Sequence, residues 1–474
     1  MPPASKASRA KGQKAITSFF AKPKKAGQSS KAKADKTDDD TPSDDQPPDE
    51  DEDEEAADSE DDAGAAKGSA MEKSDLPPIH EIPAIFSDLV SRIPDIQKVA
   101  EHLKGRKMRV ATMCSGTESP LLALNLIQRY ILEHFDVTLD YEHVFSCEIE
   151  PFKQAYIERN FQPPFLFRDV CELGEDEATT AYGALAPVPG DVDLLIAGTS
   201  CVDYSNLNNE KQDIDANGES GRTFRGMMSW VKKHRPPLVI LENVCGAPWD
   251  RVVDYFERNG YSAGFLRVDT KTFYIPHTRT RVYLLAVDKK GSRMPDTWKA
   301  KIGALKRPAS STLDAFLLPT DDPRIHQARQ KLANEAYTVA GGGFCKLPDF
   351  AWNDWGIGQV ERVWDLMDIS LLRSATKGVD PSFKTQVWNL SQNVDRSTGS
   401  SKPGICPCLT PSMIPYITNR GGPMVGLEAL SMQGLPVDEL LLTRETEDQL
   451  ADLAGNAMST TVVGACMLAA LVVG

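Results

Sequence analysis

The apolar positions of the chain follow two different patterns. Residues 1–78 contain few apolar side chains, are rich in Lys, Ala, Ser and Pro, and become strongly acidic from Asp38 to Asp62. Such a segment buries too little apolar surface to offset the entropy lost on ordering it, so we expect a disordered tail. From Leu76 to Lys104, apolar residues recur at three- and four-residue spacing, which predicts one or two amphipathic helices at the start of the folded part.

Beyond these helices, short apolar runs alternate with helical patterns. This alternation is typical of an α/β fold with a largely parallel sheet. The predicted strands are Met108–Met113, His143–Cys147, Phe165–Phe167, Asp193–Ala197, Leu238–Leu241, Phe265–Asp269 and Val282–Val287.

The regular alternation stops at about residue 290 and resumes near residue 405. The stretch between holds a triple glycine, several prolines and, among its tryptophans, Trp352, Trp355, Trp364 and Trp388, which indicates a smaller irregular domain. After it, Gly426 opens a helix that Gly434 and Pro436 stop, and Gly455-Asn456 is expected to open an apolar helix that runs to residue 474. The predicted organisation is a tail (1–78), a first domain in two parts (79–290 and 405–474), and an irregular domain between them (291–404).

Composition and charge narrow the class of protein. The chain has 474 residues, 41% of them hydrophobic, which is enough for two or three domains with a sizeable core. We find no apolar run of membrane-spanning length and no signal peptide, so we expect a soluble, unsecreted protein. Nine cysteines at irregular spacing, without a CxxC pair, predict reduced thiols and no metal site.

The net charge of −15 is unevenly distributed. Residues 1–62 contribute −7 and the remainder −8. A nucleic-acid surface would therefore be a local cleft rather than a basic body.

The stretch around Cys201 is the strongest candidate for chemistry. The apolar run Asp193–Ala197 breaks at Gly198-Thr199-Ser200 into a polar turn that presents the cysteine. In an open α/β sheet, ligands bind in the crevice outside the carboxyl ends of the strands, so a thiol at this point is placed for chemistry. The alternative is a small buried hydrophobic residue, which is the commoner fate of a single cysteine.

Other strand ends carry polar groups that suit the same crevice. The first strand runs into a small-residue turn and a helix start, which together form a cradle of backbone amides. Acids follow three strands, at Glu148, Asp169 and Glu242; an acid after the second strand is where Rossmann-like folds grip a ribose, and helix capping is the alternative. Arg279 and Arg281 should point to one face and could hold phosphates or a carboxylate.

A short apolar island interrupts the predicted tail. The segment Gln13-Lys14-Ala15-Ile16-Thr17-Ser18-Phe19-Phe20 places its apolar residues on one side of a single helical turn, as a peptide that folds on binding requires. It resembles the PCNA-interacting peptide, with all anchor positions matched by Gln13, Ile16, Phe19 and Phe20. The alternative is a chance apolar cluster.

Taken in order, the motifs resemble those of DNA cytosine-5 methyltransferases, which use S-adenosylmethionine. The resemblance covers about residues 108–290 and 405–474, and it implies a Rossmann-like methyltransferase sheet in which 291–404 is the target recognition domain. The positions that it implies for cofactor binding are the first motif (Cys114, Ser115, Gly116, Thr117, Glu118), the ribose acid with its neighbour (Glu148, Ile149), the adenine acid with its neighbour (Asp169, Val170), and Asn456 of the terminal Gly-Asn.

The resemblance also implies the catalytic groups. Cys201 would add to carbon 6 of cytosine as a thiolate, with a pKa lowered by the strand-end turn beside a helix start. Glu242 would donate to ring nitrogen 3, and Arg279, on the arginine strand with Arg281, would hold the base carbonyl and the loop. Since the target atoms lie inside the duplex, the base must be flipped out, and the predicted mobile loop from Val202 to Arg225 would close over it.

The chain departs from the family pattern at several positions. Ser200 and Val202 flank the nucleophile where Pro and Gln are usual, Glu118 replaces the second glycine of the first motif, and His277 replaces a usual Gln. The sequence around Cys201 is most similar to that of a fungal and algal maintenance-type class, whose members otherwise carry a helicase-like ATPase after the methyltransferase. No ATPase follows residue 474, so we expect a fragment or a separate ATPase partner.

Two other functions fit parts of the sequence. A transfer-RNA cytosine methyltransferase shares the scaffold, but the PCNA-like peptide argues against it. A non-catalytic, replication-associated adaptor would not need Cys201, Glu242 and Arg279 together. We therefore expect a nuclear DNA methyltransferase that PCNA recruits.

Overall fold

A seven-stranded sheet forms the centre of the protein. The computed structural model describes residues 75–114, 116–205, 208, 210–339, 359–392 and 402–474, without the side chains of 333–339. The strands are β1 Met108–Met113, β2 Tyr141–Cys147, β3 Leu166–Phe167, β4 Glu177–Thr179, β5 Leu185–Pro187, β6 Leu194–Ala197, β7 Leu238–Asn243, β8 Ser262–Asp269, β9 Thr280–Val287, β10 Val387–Asn389, β11 Pro415–Ile417 and β12 Gly422–Pro423.

The order of strands in the central sheet creates a binding crevice. That order is β3-β2-β1-β6-β7-β9-β8. Strands β3, β2, β1, β6 and β7 are parallel to one another. Strand β9 pairs antiparallel with β7 on one side and with β8 on the other. The chain leaves β1 in one direction to form β2 and β3, and returns on the other side of β1 to form β6. The carboxyl ends of β1 and β6 therefore flank a topological switch point, where α/β sheets bind ligands. The predicted α/β fold is confirmed.

Helices cover both faces of the sheet. They are α1 Ile82–Ser91, α2 Ile96–His102, α3 Ser119–Phe135, α4 Pro151–Phe161, α5 Glu219–His234, α6 Trp249–Arg258, α7 Met294–Leu305, α8 Pro323–Val339, α9 Glu361–Thr376, α10 Gly426–Met432, α11 Glu447–Asn456 and α12 Thr460–Val473. The predicted lead-in helices correspond to α1 and α2.

Alternation along the strands divides the core into two layers. In β6, Leu194 and Ile196 face the layer of α1, α3, α7 and α12, whereas Leu195 and Ala197 face the layer of α5 and α6. A strand buried on both faces has a continuous apolar run, which is why β6 was visible in the sequence.

The C-terminal helix lies in the middle of the first layer. Residues from Thr460 to Leu471 of α12 are all buried, and Gly464 lets the ring of Phe86 from α1 approach closely. The indole of Trp298 on α7 donates to the Cys466 carbonyl at 2.9 Å. Helix α7 therefore packs in the main core, although it lies within the stretch 291–404 that was predicted to form the irregular domain.

Two expectations about the C-terminal segment were wrong. Gly455 and Asn456 close α11 rather than open the last helix, which begins at Thr460. The segment Glu447–Val473 also has the length and apolar composition of a membrane span, contrary to the expectation that no such run exists. However, 83% of its apolar window is buried inside the protein, as in a core helix.

A small separate core supports the irregular domain. Helix α9 packs on the sheet of β10, β11 and β12. Trp388 and Tyr416 stack at a centroid distance of 5.9 Å, and Val363 and Leu366 of α9 are buried beside them. The tail with its PCNA-like peptide lies outside the described residues.

The contact between α1 and α12 gives a prediction about stability. Phe86 is fully buried, so Phe86→Ala leaves a cavity and lowers the free energy of unfolding by about 3–5 kcal/mol. Leu132→Ala on α3 is the control, because Leu132 is 48% exposed, and it changes stability by about 0.5 kcal/mol or less. Urea denaturation of both variants measures the difference. Equal losses would show that α1 is not part of the cooperative core.

Candidate active site

The Cys201 turn is held in place by the neighbouring strand. Strand β6 ends at Ala197, and the half-buried Cys201 follows in a turn. The backbone carbonyl of Cys201 accepts hydrogen bonds from the backbone amides of Tyr204 and Ser205. At the end of β7, the Asn243 amide donates to the carbonyls of Thr199 at 2.9 Å and Ser200 at 3.3 Å. No role was predicted for Asn243. Its position beside Glu242 at the end of a strand was the signal that could have indicated one.

The turn is also tied to the start of α5. The Asp203 carboxylate accepts from the Ser220 amide at 2.8 Å, and the Ser220 hydroxyl accepts from the Asp203 amide at 2.9 Å. The Ser200 hydroxyl donates to Glu219 at 2.7 Å. These reciprocal bonds fix the direction in which the turn presents its thiol.

The loop beyond the turn is shorter than predicted, because α5 already begins at Glu219. Its described part is pinned to the protein at several points. Arg225 donates to the carbonyls of Ile214 and Ala216, and Arg251 of α6 pairs with Asp213 and Asp215. The polar residues of this stretch therefore make specific contacts in the described conformation.

Glu242 and Arg281 converge beside the Cys201 turn. Glu242 is the last residue but one of β7 and has 8% of its surface exposed, and the Arg281 guanidinium on β9 lies 3.5 Å from its carboxylate. A Cβ on Gly198 would lie 3.7 Å from the Glu242 carboxylate and 3.2 Å from the Cys114 carbonyl. The Met458 methyl group would lie only 2.8 Å from that Cβ, so a side chain at position 198 would displace its neighbours.

Arg279 does not take the role that the resemblance implied. It precedes β9 and is 3% exposed. Its guanidinium donates to the carbonyls of Leu409 at 3.1 Å, Gly455 at 3.1 Å and Ala457 at 2.7 Å. The guanidinium beside Glu242 belongs to Arg281 and not to Arg279.

Burial dominates the electrostatics of the two reactive groups. Burial raises the pKa of the Glu242 carboxyl, and the charges of Arg281 and Arg279 oppose that shift. Burial also raises the pKa of the Cys201 thiol, with Arg281 opposing and Glu242 adding to the rise. The expectation that the turn lowers the pKa of Cys201 was therefore wrong, because desolvation outweighs the nearby positive charge.

A second set of groups lines the crevice at the ends of β1 and β2. The Glu148 carboxylate accepts from the amides of Gly116 and Glu150, both at 3.1 Å. Ile149 exposes 57% of its surface, and the Asp169 carboxylate caps the short helix Val170–Glu172. An exposed aliphatic side chain beside strand-end acids can pack against a flat, polar ligand.

The other described residues of the first motif make their contacts inside the protein. Ser115 lies outside the described residues. Thr117 and Glu118 are fully buried, and the Glu118 carboxylate accepts from Thr112 at 2.8 Å and Ser146 at 2.6 Å inside the protein. Glu118 also has a left-handed φ of 53°, which explains why a glycine suits this position. The predicted cofactor contact of Glu118 is therefore not made by its side chain.

Asn456 reaches the same region through an ionic network. Its amide donates to the Asp452 carboxylate at 2.9 Å, and the buried Lys153 ammonium lies 2.7 Å from the same carboxylate. The side chain of Lys153 passes 3.9 Å from the position of a Cβ on Gly116. Val170, by contrast, is buried. Among the described residues, no cluster of His, Cys, Asp and Glu could hold a metal ion.

The chain is similar in sequence to known proteins. The DNA (cytosine-5-)-methyltransferase DMT5 of Cryptococcus neoformans is 60% identical over 434 residues, 84% of this chain and 18% of that protein. The DMT5 of Verticillium dahliae is 34% identical over 460 residues, 78% of this chain and 19% of that protein. The chain thus spans about a fifth of the length of these curated relatives, which support the predicted fungal class.

More distant similarity extends to bacterial enzymes and solved structures. The type II methyltransferase M2.BsuMI of Bacillus subtilis is 27% identical over 151 residues, 30% of this chain and 35% of that protein. The crystal structure of S. pombe Dnmt2 methyltransferase superimposes with a TM-score of 0.44 at 14% identity, over 77% of this chain and 98% of that one. The family model of the C-5 cytosine-specific DNA methylases matches residues 108–469, so the chain belongs to that family.

Proposed function

We propose that the chain transfers a methyl group from S-adenosylmethionine to carbon 5 of cytosine in DNA, through a covalent adduct of Cys201 with a flipped-out base. The observation that carries this proposal is the convergence of the Cys201 turn, Glu242 and Arg281 at the switch point of the sheet. Carbon 5 of cytosine is a poor nucleophile, so a thiolate must first add to carbon 6. The base must leave the stack to expose that atom.

Each group has a defined part in this reaction. The Cys201 thiolate forms the bond to carbon 6, and the charge that develops on the ring is neutralised by a proton from Glu242 to nitrogen 3. The raised pKa of Glu242 supports this role, because a buried carboxyl keeps its proton at higher pH. Arg281 is placed to donate to the ring carbonyl. Once carbon 5 carries the methyl group, a base takes its remaining proton, the electrons of that bond form the carbon 5–carbon 6 double bond and the sulfur–carbon bond breaks. The Cys201 thiolate is thereby restored, and nitrogen 3 returns its proton to Glu242.

The crevice beyond Cys201 fits S-adenosylmethionine. Glu148 would hold the ribose hydroxyls, because its two described hydrogen bonds leave lone pairs available. Ile149 would pack on the adenine and Asp169 would accept from its amino group. When bound, the cofactor supplies the methyl group for carbon 5.

The proposal extends to maintenance methylation in the nucleus behind the replication fork. The PCNA-like peptide at residues 13–20 supports this extension, since a sliding clamp would bring the enzyme to newly copied DNA.

The direct test is transfer of labelled methyl from S-adenosylmethionine to hemimethylated duplex DNA, unmethylated duplex DNA and transfer RNA in parallel. We expect signal on hemimethylated duplex DNA and a loss of at least about 10³-fold in Cys201→Ala, since the covalent step is lost. Cys466→Ala, which removes a buried thiol of α12, is the matched control. Full methyl transfer by Cys201→Ala would overturn the mechanism. Methyl transfer to transfer RNA alone would show that the substrate is transfer RNA and not DNA.

The pKa directions predict an unusual pH dependence. The reaction needs Glu242 protonated and Cys201 ionised, although burial raises the pKa of both. We expect kcat/KM to rise with pH as the thiolate forms and to fall at high pH as Glu242 loses its proton. In Glu242→Gln the side chain stays neutral, so the rate is lower but the alkaline fall disappears. An alkaline fall that persists in Glu242→Gln would exclude Glu242 as the proton donor.

The peptide hypothesis has its own test. Replacing Phe19 and Phe20 together by Ala removes the two aromatic anchors and should abolish binding to PCNA in a pull-down with the full chain. The matched control is Lys24→Ala with Lys25→Ala, which removes charge next to the peptide but keeps its apolar face. Equal capture of both double variants would remove this part of the proposal.

A further inference from the structure

The charges at the strand ends do not balance without one more group. Arg279 and Arg281 are both enclosed by protein, and Glu242 supplies one carboxyl between β7 and β9. When Glu242 carries the proton that it is proposed to donate, it is neutral. Its carboxyl then no longer balances the positive charges of the two neighbouring guanidinium groups. Burying like charges together is strongly unfavourable unless an anion is close.

Cys408 places a sulfur atom between these two arginines. Its Sγ lies 3.9 Å from both terminal nitrogens of Arg281 and 4.0 Å from one of Arg279. A neighbouring backbone ladder holds it there, because Thr278 donates to the Cys406 carbonyl and Cys406 donates to that of Pro276, both at 2.8 Å. The sulfur therefore faces three N–H-bearing nitrogens.

A protonated thiol would be poorly satisfied in this position. The acceptor for its proton would be the Leu409 carbonyl at 3.9 Å, and Arg279 already donates to that oxygen at 3.1 Å. A thiolate, in contrast, accepts from both guanidinium groups. Burial raises the pKa of the Cys408 thiol, but Arg281 and Arg279 together outweigh burial, so its pKa lies below the ordinary value.

The other titratable groups around the pair do not supply a lasting charge. Burial raises the pKa of the Cys201 thiol, and in the proposed reaction its thiolate loses its charge when it adds to carbon 6. His277 is neutral, since burial lowers its pKa to about 3, and burial raises the pKa of Tyr283 and Cys406 far above their ordinary values. Asp269 binds the backbone amide of Arg279 and the Lys271 ammonium instead.

We propose that Cys408 is a thiolate that acts as the counter-anion of Arg279 and Arg281 and thereby positions Arg281 against Glu242. Cys408 is a positioning residue, and its effect on catalysis rests on the proposed function of Cys201 and Glu242. Because its negative charge offsets the field of the arginines, it also keeps the pKa values of Glu242 and Cys201 high. Removing that charge should favour the Glu242 carboxylate and the Cys201 thiolate, which lowers both pKa values.

The charge of Cys408 can be measured without any methyl transfer. The full chain carrying Cys201→Ser is treated with iodoacetamide across a pH series, and modification of each cysteine is followed by mass spectrometry. We expect Cys408 to react with a midpoint below about 8.5, the value of an ordinary thiol, and Cys406 to have no midpoint in that range. A Cys408 midpoint at or above the ordinary value, or no reaction up to pH 9, would overturn the thiolate.

The positioning role is tested by the pH dependence of kcat/KM in three variants. Cys408→Ser removes the charge and should move the whole profile toward lower pH by about one unit, whereas Cys408→Asp should restore the wild-type position. Cys406→Ser, which introduces a hydroxyl two residues away, should leave the position of the profile unchanged. A structural role would lower the rate or the unfolding temperature without moving the profile.

These experiments separate the two proposals. A Cys408→Ser profile at the wild-type position, or a Cys408→Asp profile that coincides with that of Cys408→Ser, would overturn the positioning role. If the wild type transfers no methyl group while Cys408 titrates as a thiolate, the proposed function fails and the assignment of the buried anion stands.

Discussion

Two buried guanidinium groups at the carboxyl ends of the sheet determine how the catalytic part is assembled. Arg279 cannot be enclosed without acceptors, and it finds them in the carbonyls of Leu409, Gly455 and Ala457. All three belong to the last part of the chain. Arg279 therefore ties the segment beyond residue 405 to the start of β9 in the central sheet.

The same arrangement couples the groups of the active site. Arg281 faces Glu242 on one side and Cys408 on the other, and its charge also reaches the Cys201 thiol. A change of protonation at one of these groups alters the field at the others, so their titrations belong to the cluster and not to single residues. Asn243 supplies the rigidity that this coupling needs, because it fixes the Cys201 turn to β7.

The sequence located most of the strands and the crevice because both depend on local patterns. Apolar runs such as Leu194–Ala197 show strands buried on both faces, and a polar residue directly after a run marks the edge where ligands bind. The direction of side chains outside regular elements was not accessible in this way. Arg279 precedes β9, so strand alternation with Arg281 did not determine its partners. Glu118 points inward because the hydroxyls of Thr112 and Ser146 donate hydrogen bonds to its carboxylate, and only the tertiary structure reveals these contacts.

The raised pKa of Cys201 is compatible with the nucleophilic role that we propose for it. A thiolate becomes intrinsically more nucleophilic as the pKa of its thiol increases, although fewer molecules are ionised at a given pH. Lowering that pKa with Arg281 alone would give more thiolate but would also ionise Glu242, which must hold a proton to neutralise the ring. Burial raises both pKa values together and keeps the acid protonated, while Arg281 limits the loss of thiolate. The site therefore gains from desolvation what a lone cationic neighbour could not provide.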